Sequence, residues 1–350
     1  MNTPADNEHS TPFDPDGPAA GDGLFGLPAA HPHPRLQVIP VPWEATASYG
    51  RGTRFGPEAV RIASGQIDLY DLEYGDFWKE GIVLRPVHPE LEAWSDAVEA
   101  DALAVIASEG QEPGLAAAVD AVADQVHAHV YREALEVLDA GAIPAVLGGD
   151  HSSPYGLLRA IAERHPGFGV LHIDAHADLR DAYLGFRWSH ASIFHNALQL
   201  PGLSKLVGLA WRDMGARELA RIAAEPTRIR AFTDLELAQA EGEGEAWAVT
   251  ADRIIAELPP KVYVSFDIDG LDPALCPHTG TPVPGGLRWR QMHLLLARLS
   301  AARQVVGFDL CEVGPGPAGA EATDEWDANV GARALFKLAG CALRSRQGEV

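Results

Sequence analysis

Short apolar runs separated by amphipathic stretches dominate the sequence from Arg35 onward, and this alternation limits the fold more than any other feature. The runs are RLQVIPVP (35–42), IPAVLG (143–148), FGVLHID (168–174), SKLVGLA (204–210), RIRAFT (228–233), KVYVSFDID (261–269) and QVVGFDLCEV (304–313). Most lack the alternation of a strand with one wet face, so they read as strands covered on both sides. The clearest helical stretch is 114–139, where Leu115, Val119, Val122, Val126 and Val130 recur at steps of four and three and Gly141 follows as a stop. Ser152 or Ser153 before Pro154 predicts a further helix start. Asp324 predicts a cap for a last helix carrying Trp326, Val330, Leu335 and Leu338. Buried strands joined by helices require a largely parallel sheet with helices on both faces. Right-handed crossovers put the C-terminal ends of all strands on one edge, where ligands of such sheets bind.

Residues 1–34 differ from the remainder. They hold 7 of the 26 prolines and five acidic residues, with no lysine or arginine. Such a stretch buries too little to offset its ordering entropy, which predicts a disordered or extended arm ahead of one catalytic domain over 35–350. His31 and His33 read as arm residues, not ligands. The whole chain carries 49 acidic and 27 basic residues, a net charge of −22. That balance argues against nucleic acid and against anionic lipid as partners. No apolar run reaches the roughly 20 residues of a membrane span, and the first residues lack a secretory pattern, so a cytoplasmic protein is expected. Three scattered cysteines, Cys276, Cys311 and Cys341, support neither a disulfide framework nor a thiolate zinc site.

The polar residues that interrupt the pattern fall at the ends of three runs. They are Gly148-Gly149-Asp150-His151-Ser152, Asp174-Ala175-His176-Ala177-Asp178 and Asp267-Ile268-Asp269. Alone, Asp150 and Ser152 read as a helix cap and the glycines as a turn. Positions two apart on a strand point the same way, so Asp174 and His176 share a direction, as do Asp267 and Asp269, with Asp178 following if extension persists. Carboxylates gathered at a buried edge repel one another and lose hydration unless cations sit among them. Oxygen donors with some imidazole suit manganese or magnesium. Six ligands (His151, Asp174, His176, Asp178, Asp267 and Asp269) suit two ions about 3.5–4 Å apart. Two divalent ions also match the charge of four carboxylates.

These three motifs, the third extending over Ser265–Pro273, resemble the signatures of the ureohydrolase family, the arginases and agmatinases, and they occur in the family's order. Ala177 stands where many members carry threonine. The resemblance covers roughly 35–343 and implies a three-layer α/β/α fold with about eight strands. It also implies two manganese ions activating a shared water that attacks a guanidinium carbon. His151, Asp174, Asp178 and Asp267 match the ligands of one ion. Asp174, His176, Asp267 and Asp269 match those of the other, with Asp174 and Asp267 bridging. Asp178 is further implied to accept a hydrogen bond from the nucleophile. His190 resembles the family's proton-carrying histidine and Glu312 the carboxylate that grips the guanidinium. Assembly as a trimer or hexamer is implied as well.

The substrate expected is a small cationic guanidino compound. The stretches Asp178–Gly185, Ser189–Ser192 and Thr279–Gly286 look like agmatinases, which implies hydrolysis of agmatine to putrescine and urea. Arginases usually place asparagine where Arg180 stands. Arg180 is expected to pair with Asp181 or another acid, though it could bind a carboxylate. Arginine, guanidinobutyrate and guanidine therefore stay open as substrates. A single-zinc deacetylase-like hydrolase and an inactive scaffold are the competing classes.

Overall fold

The computed structural model describes residues 13–19, 21–314 and 325–346. Eight strands form its sheet: β1 (Leu36–Val41), β2 (Ile82–Leu84), β3 (Ile143–Gly148), β4 (Phe168–Ile173), β5 (Leu203–Leu209), β6 (Ile229–Phe232), β7 (Lys261–Asp267) and β8 (Gln304–Cys311). Their order is β2-β1-β3-β8-β7-β4-β5-β6, and every pair is parallel. The seven apolar runs are seven of these strands. The eighth, β2, is a three-residue edge strand, too short to show a period.

Successive strand residues feed opposite cores. Val38 and Ala145 join one apolar cluster, while Ile39 and Val146 join the other. The first cluster is closed by α1 (Gly56–Ser64), α8 (Trp247–Ala256), α9 (Trp289–Ala302) and α10 (Trp326–Arg346). The second is closed by α2 (Pro89–Ala107), α3 (Pro113–Asp139), α4 (Tyr155–Arg164) and α5 (Ile193–Ala197). Two further helices, α6 (Ala216–Ala224) and α7 (Asp234–Gly242), flank β6. This is the expected three-layer α/β/α arrangement. The helix read over 114–139 is α3, and Gly141 lies just beyond it at φ 74°, the left-handed conformation glycine allows. Pro154 occupies the N-cap of α4 instead of its first turn, with no side-chain cap. Asp324 lies outside the described residues. Among the described residues no helix is long and apolar enough to cross a membrane.

The register positions the functional edge. Asp267 lies level with Cys311, and Ile173 with Phe266, so Asp174 follows opposite Asp267. The four strands β3, β8, β7 and β4 are neighbours at the centre of the sheet. Their C-terminal ends carry the three motifs that hold the six proposed ligands, and Glu312.

The unpacked arm needs correction. Residues 1–12 lie outside the described residues, but Leu24, Phe25 and Leu27 are buried in the first core cluster. Phe25 sits edge-on against Phe336 with centroids 4.9 Å apart, and its backbone N–H donates to Ser64 Oγ at 2.8 Å. The segment's average composition concealed three apolar side chains in four residues. Phe25→Ala should therefore destabilise the fold by about 3–5 kcal/mol, measured as a lower urea midpoint. An unchanged midpoint would mean that the segment does not pack in solution.

Candidate metal centre

The first motif is a junction between two loops. At Gly149 a Cβ would stand 2.1 Å from the Trp43 carbonyl oxygen, so only glycine admits this approach. Asp150 closes the junction. Its N–H donates to that carbonyl at 2.9 Å. Its Oδ2 accepts from the Ala45 N–H at 3.2 Å, and its Oδ1 accepts from the N–H and hydroxyl of Ser152. Asp150 is thus a staple, and its neighbour His151 is the residue turned into the cluster.

His151 Nδ1 lies 3.1 Å from Asp174 Oδ2, 3.3 Å from Asp178 Oδ2 and 3.2 Å from Asp267 Oδ2. A second nest adjoins the first. His176 Nδ1 lies 3.1 Å from Asp269 Oδ2 and 3.4 Å from Asp174 Oδ1. Asp174 thus gives one oxygen to each nest. The six residues proposed as ligands meet in one place, although not by strand extension. Asp269 falls in a 3₁₀ turn, and its N–H donates to Asp267 Oδ1 at 2.9 Å. The His176 N–H donates likewise to Asp174 Oδ1. Asp178 turns back at φ 52°. A left-handed backbone at a non-glycine residue costs about 1–3 kcal/mol, and Glu312 carries the same strain at φ 61°. Both bent residues face the cluster's surroundings.

A shell of buried hydrogen bonds orients these groups. His151 Nε2 faces Ser265 Oγ at 2.9 Å, and Ser265 donates to Asp309 Oδ2 at 2.8 Å. Asp309 also accepts from the Tyr263 hydroxyl at 2.6 Å and the Phe266 N–H at 3.1 Å. With Ser265 committed to Asp309, an Nε2–H of His151 points to Ser265 and Nδ1 faces the carboxylates; burial opposes charge on the ring, yet Asp174, Asp178, Asp267 and Asp309 raise it well above the usual imidazole range until a cation takes Nδ1. Trp211 Nε1 donates to His172 Nδ1 at 3.2 Å, so His172 carries its proton on Nε2 and donates it to Asp174 Oδ2 at 2.7 Å. Sequence reasoning missed His172, Ser265 and Asp309. His172 stands two residues before Asp174 on the same strand face, and Asp309 interrupts an otherwise apolar run; both signals were legible.

The cluster is short of positive charge. Burial, and after it Asp174, push the Asp178 carboxyl up to about 7. Burial with Asp269 and Asp174 pushes Asp267 well above the carboxylate range. Burial acts on Asp174 too, but His172, His151 and His176 outweigh it and hold that carboxyl well down. Burial opposes charge on His176, yet Asp269 and Asp174 raise it to about 12. Among the described residues no lysine or arginine pairs with these four aspartates. The Cys311 thiol nearby is pushed up by burial and donates to Asp309, so it offers no thiolate. Hard carboxylate and imidazole donors lacking counter-charge fit divalent cations.

His190 lines a cavity of about 160 Å³ with Ser48, His176, Asp178, Tyr183 and Asp213. Burial, then His176 and His151, lower it to about 4. Its ring is gripped by Thr46, another residue that the sequence did not advertise. Glu312 is buried, and its Oε1 accepts the His151 N–H at 2.8 Å. Arg180 pairs with Glu218, at 3.8 Å, and lies 5.0 Å from the Tyr183 ring centre.

A family model described as the Arginase family matches residues 34–337. The chain is 33% identical over 287 residues to an N(1)-aminopropylagmatine ureohydrolase of Thermus thermophilus, covering 82% of this chain and 85% of that one. It is 30% identical over 284 residues to a guanidinobutyrase of Pseudomonas aeruginosa, covering 79% and 78%. The solved structure of proclavaminate amidinohydrolase from Streptomyces clavuligerus superposes with a TM-score of 0.70 at 27% identity, covering 94% of this chain and all of that one.

Two outcomes follow from this geometry. Asp309→Asn should weaken divalent-metal binding about 10–100-fold by loosening the His151 support, measured by calorimetric titration. In the metal-free protein, raised carboxyls stabilise the fold only while protonated. The Asp178 contribution is full below about pH 4 and lost as the pH rises through about 7. Buried His190, lowered to about 4, acts in the opposite sense below about pH 6.5, so the melting temperature of the metal-free protein should fall between about pH 6.5 and pH 8, and divalent cations should flatten that slope. A slope indifferent to metal would contradict the charge deficit.

Proposed function

The chain belongs to the arginase family as an agmatinase-like ureohydrolase, and from that premise we propose that it splits an amine-tailed guanidino compound at a pair of divalent ions, manganese being the first choice. The observation that carries the reading is the pair of donor nests sharing Asp174, one oxygen in each. Bound there, two divalent cations supply counter-charge to the aspartates and Lewis-acid activation of water. His151, Asp174, Asp178 and Asp267 would hold one, and Asp174, His176, Asp267 and Asp269 the other.

The protein groups divide the remaining work. Asp178, strained toward the cluster, accepts a hydrogen bond from the attacking water. Glu312 keeps Oε2 beyond its bond to His151, and a carboxylate suits the N–H edge of a guanidinium. Water's oxygen bonds to the guanidino carbon, the bond from that carbon to the alkyl nitrogen breaks, and the leaving amine takes a proton. His190, neutral at physiological pH and in the cavity wall, is suited to carry that proton. The products are urea and an amine.

Charge around the cavity supports the amine tail. Asp178, Asp213 and Glu218 line it against one arginine, Arg180. Arg180 is 45% exposed and only loosely paired, which gives a second reading, a carboxylate tail as in guanidinobutyrate. Urea release across agmatine, aminopropylagmatine, arginine, guanidinobutyrate and guanidine separates them. We expect the amine-tailed compounds to lead guanidinobutyrate by about tenfold or more, a difference of about 1.4 kcal/mol. Guanidinobutyrate ahead, with that lead lost in Arg180→Ala, would replace the amine-tail reading. One zinc per chain would favour a deacetylase-like hydrolase. Two metals without urea from any compound would favour an inactive scaffold.

A further inference from the structure

His190 is held by a residue outside every metal-binding motif. The loop after β1 is pinned at two points. The Glu44 carboxylate is buried and accepts from the N–H of Gly52 at 2.6 Å and of Arg54 at 3.2 Å, and it pairs with Arg51 at 3.2 Å. The next residue, Ala45, is tied to Asp150 at 3.2 Å. Thr46 follows these anchors and is 2% exposed. Its Oγ1 accepts the His190 N–H at 3.2 Å and stands 3.0 Å from His190 Nδ1. One residue thus holds both the backbone and the ring of His190, and because the ring contact is made by Nδ1, Nε2 is the nitrogen it leaves unengaged.

The choice of a hydroxyl has a consequence. A threonine hydroxyl offers one donor and two acceptor positions. The His190 N–H takes one acceptor. The other lone pair remains for Nδ1–H, which keeps its proton whether Nε2 is bare or protonated, so the contact survives in both forms. A carboxylate in its place would hold the ring in its charged form, whereas a neutral hydroxyl leaves Nε2 free to lose its proton. We propose that Thr46 is the positioning residue that lets His190 gain and lose a proton at Nε2 without turning its ring. The proposal rests on the reading of His190 as the proton carrier for the leaving amine. The titratable and charged groups that also face His190 are His176, His151, Asp174 and Arg180, with Asp178, Tyr183, Asp213 and Glu218 in the same cavity wall.

Thr46→Val removes the hydroxyl at nearly constant shape, and Thr46→Ser restores it. In the manganese-loaded enzyme we expect Thr46→Val to lower kcat about 10–100-fold with KM within about threefold, and Thr46→Ser to recover most of the loss. In a His190→Asn background, Thr46→Val should cost nothing further. A readout independent of turnover is the pH dependence of His190 carbethoxylation by diethyl pyrocarbonate, followed on its own peptide. Its midpoint should fall by about half a pH unit or more in Thr46→Val, because the charged ring loses the acceptor for its Nδ1–H. An unmoved midpoint, normal kcat in Thr46→Val, or losses that add to those of His190→Asn would each overturn the proposal. If no guanidino compound yields urea while the midpoint still moves, the functional reading fails and the ring contact stands.

Discussion

Four carboxylates packed at the buried edge of a parallel sheet are the constraint on which the molecule's organisation depends. Left alone they would drive one another toward protonation, as the raised carboxyls of Asp178 and Asp267 show. The four aspartates are buried, and among the described residues no lysine or arginine pairs with them. The polypeptide nevertheless keeps them close, with a left-handed backbone at Asp178 and side-chain-to-backbone turns after Asp174 and Asp267. Such an arrangement suits an ion bound from outside and little else. The same edge exists because all eight strands run one way. Reversal of a single central strand would carry one motif to the far side of the sheet.

The shell around the cluster explains why the apolar strands contain a few polar residues. Tyr263, Ser265 and Asp309 lie on β7 and β8, where purely apolar side chains would pack as well. Together they orient the His151 ring through a buried chain of hydrogen bonds. Trp211 does the same for His172 from the end of β5. A histidine whose remote nitrogen is committed is held in one ring orientation, with its other nitrogen fixed toward the carboxylates. The ligand geometry is therefore built into the strands before any ion arrives.

Much of this was legible in the sequence, for physical reasons that also mark where legibility stopped. A buried parallel strand needs a continuous apolar run, so seven strands and the edge they share could be read directly. Three motifs that break those runs at their ends identified the six clustered side chains. The three-residue edge strand β2 carried no period, and the packed Leu24, Phe25 and Leu27 lay inside a proline-rich stretch whose average hid them. Side-chain alternation gave the right partners for Asp174 and Asp267, but side-chain-to-backbone turns bring them together. Contacts across the chain were invisible. Asp150 looked like a helix cap and proves to be a staple to Ala45, over a hundred residues away. Thr46, 144 residues from His190, had no local signal at all.

These long-range contacts divide the site into two kinds of part. The groups proposed to hold the ions stand at the ends of β3, β4 and β7, where packing on both faces of the sheet fixes them. The other residues of the cavity wall, Ser48, Tyr183, Asp213 and Thr281, which the proposal turns toward the substrate tail, stand on loops between the regular elements. Changes in those loops can alter which tail fits without disturbing the aspartates, because the loops hang from the scaffold at discrete anchors. Thr46 and Asp150 are two of those anchors. They connect the first loop to both the histidine of the cavity wall and the turn that carries His151. The tail-reading surface and the reacting centre can therefore vary separately, while the position of His190 remains tied to the strands.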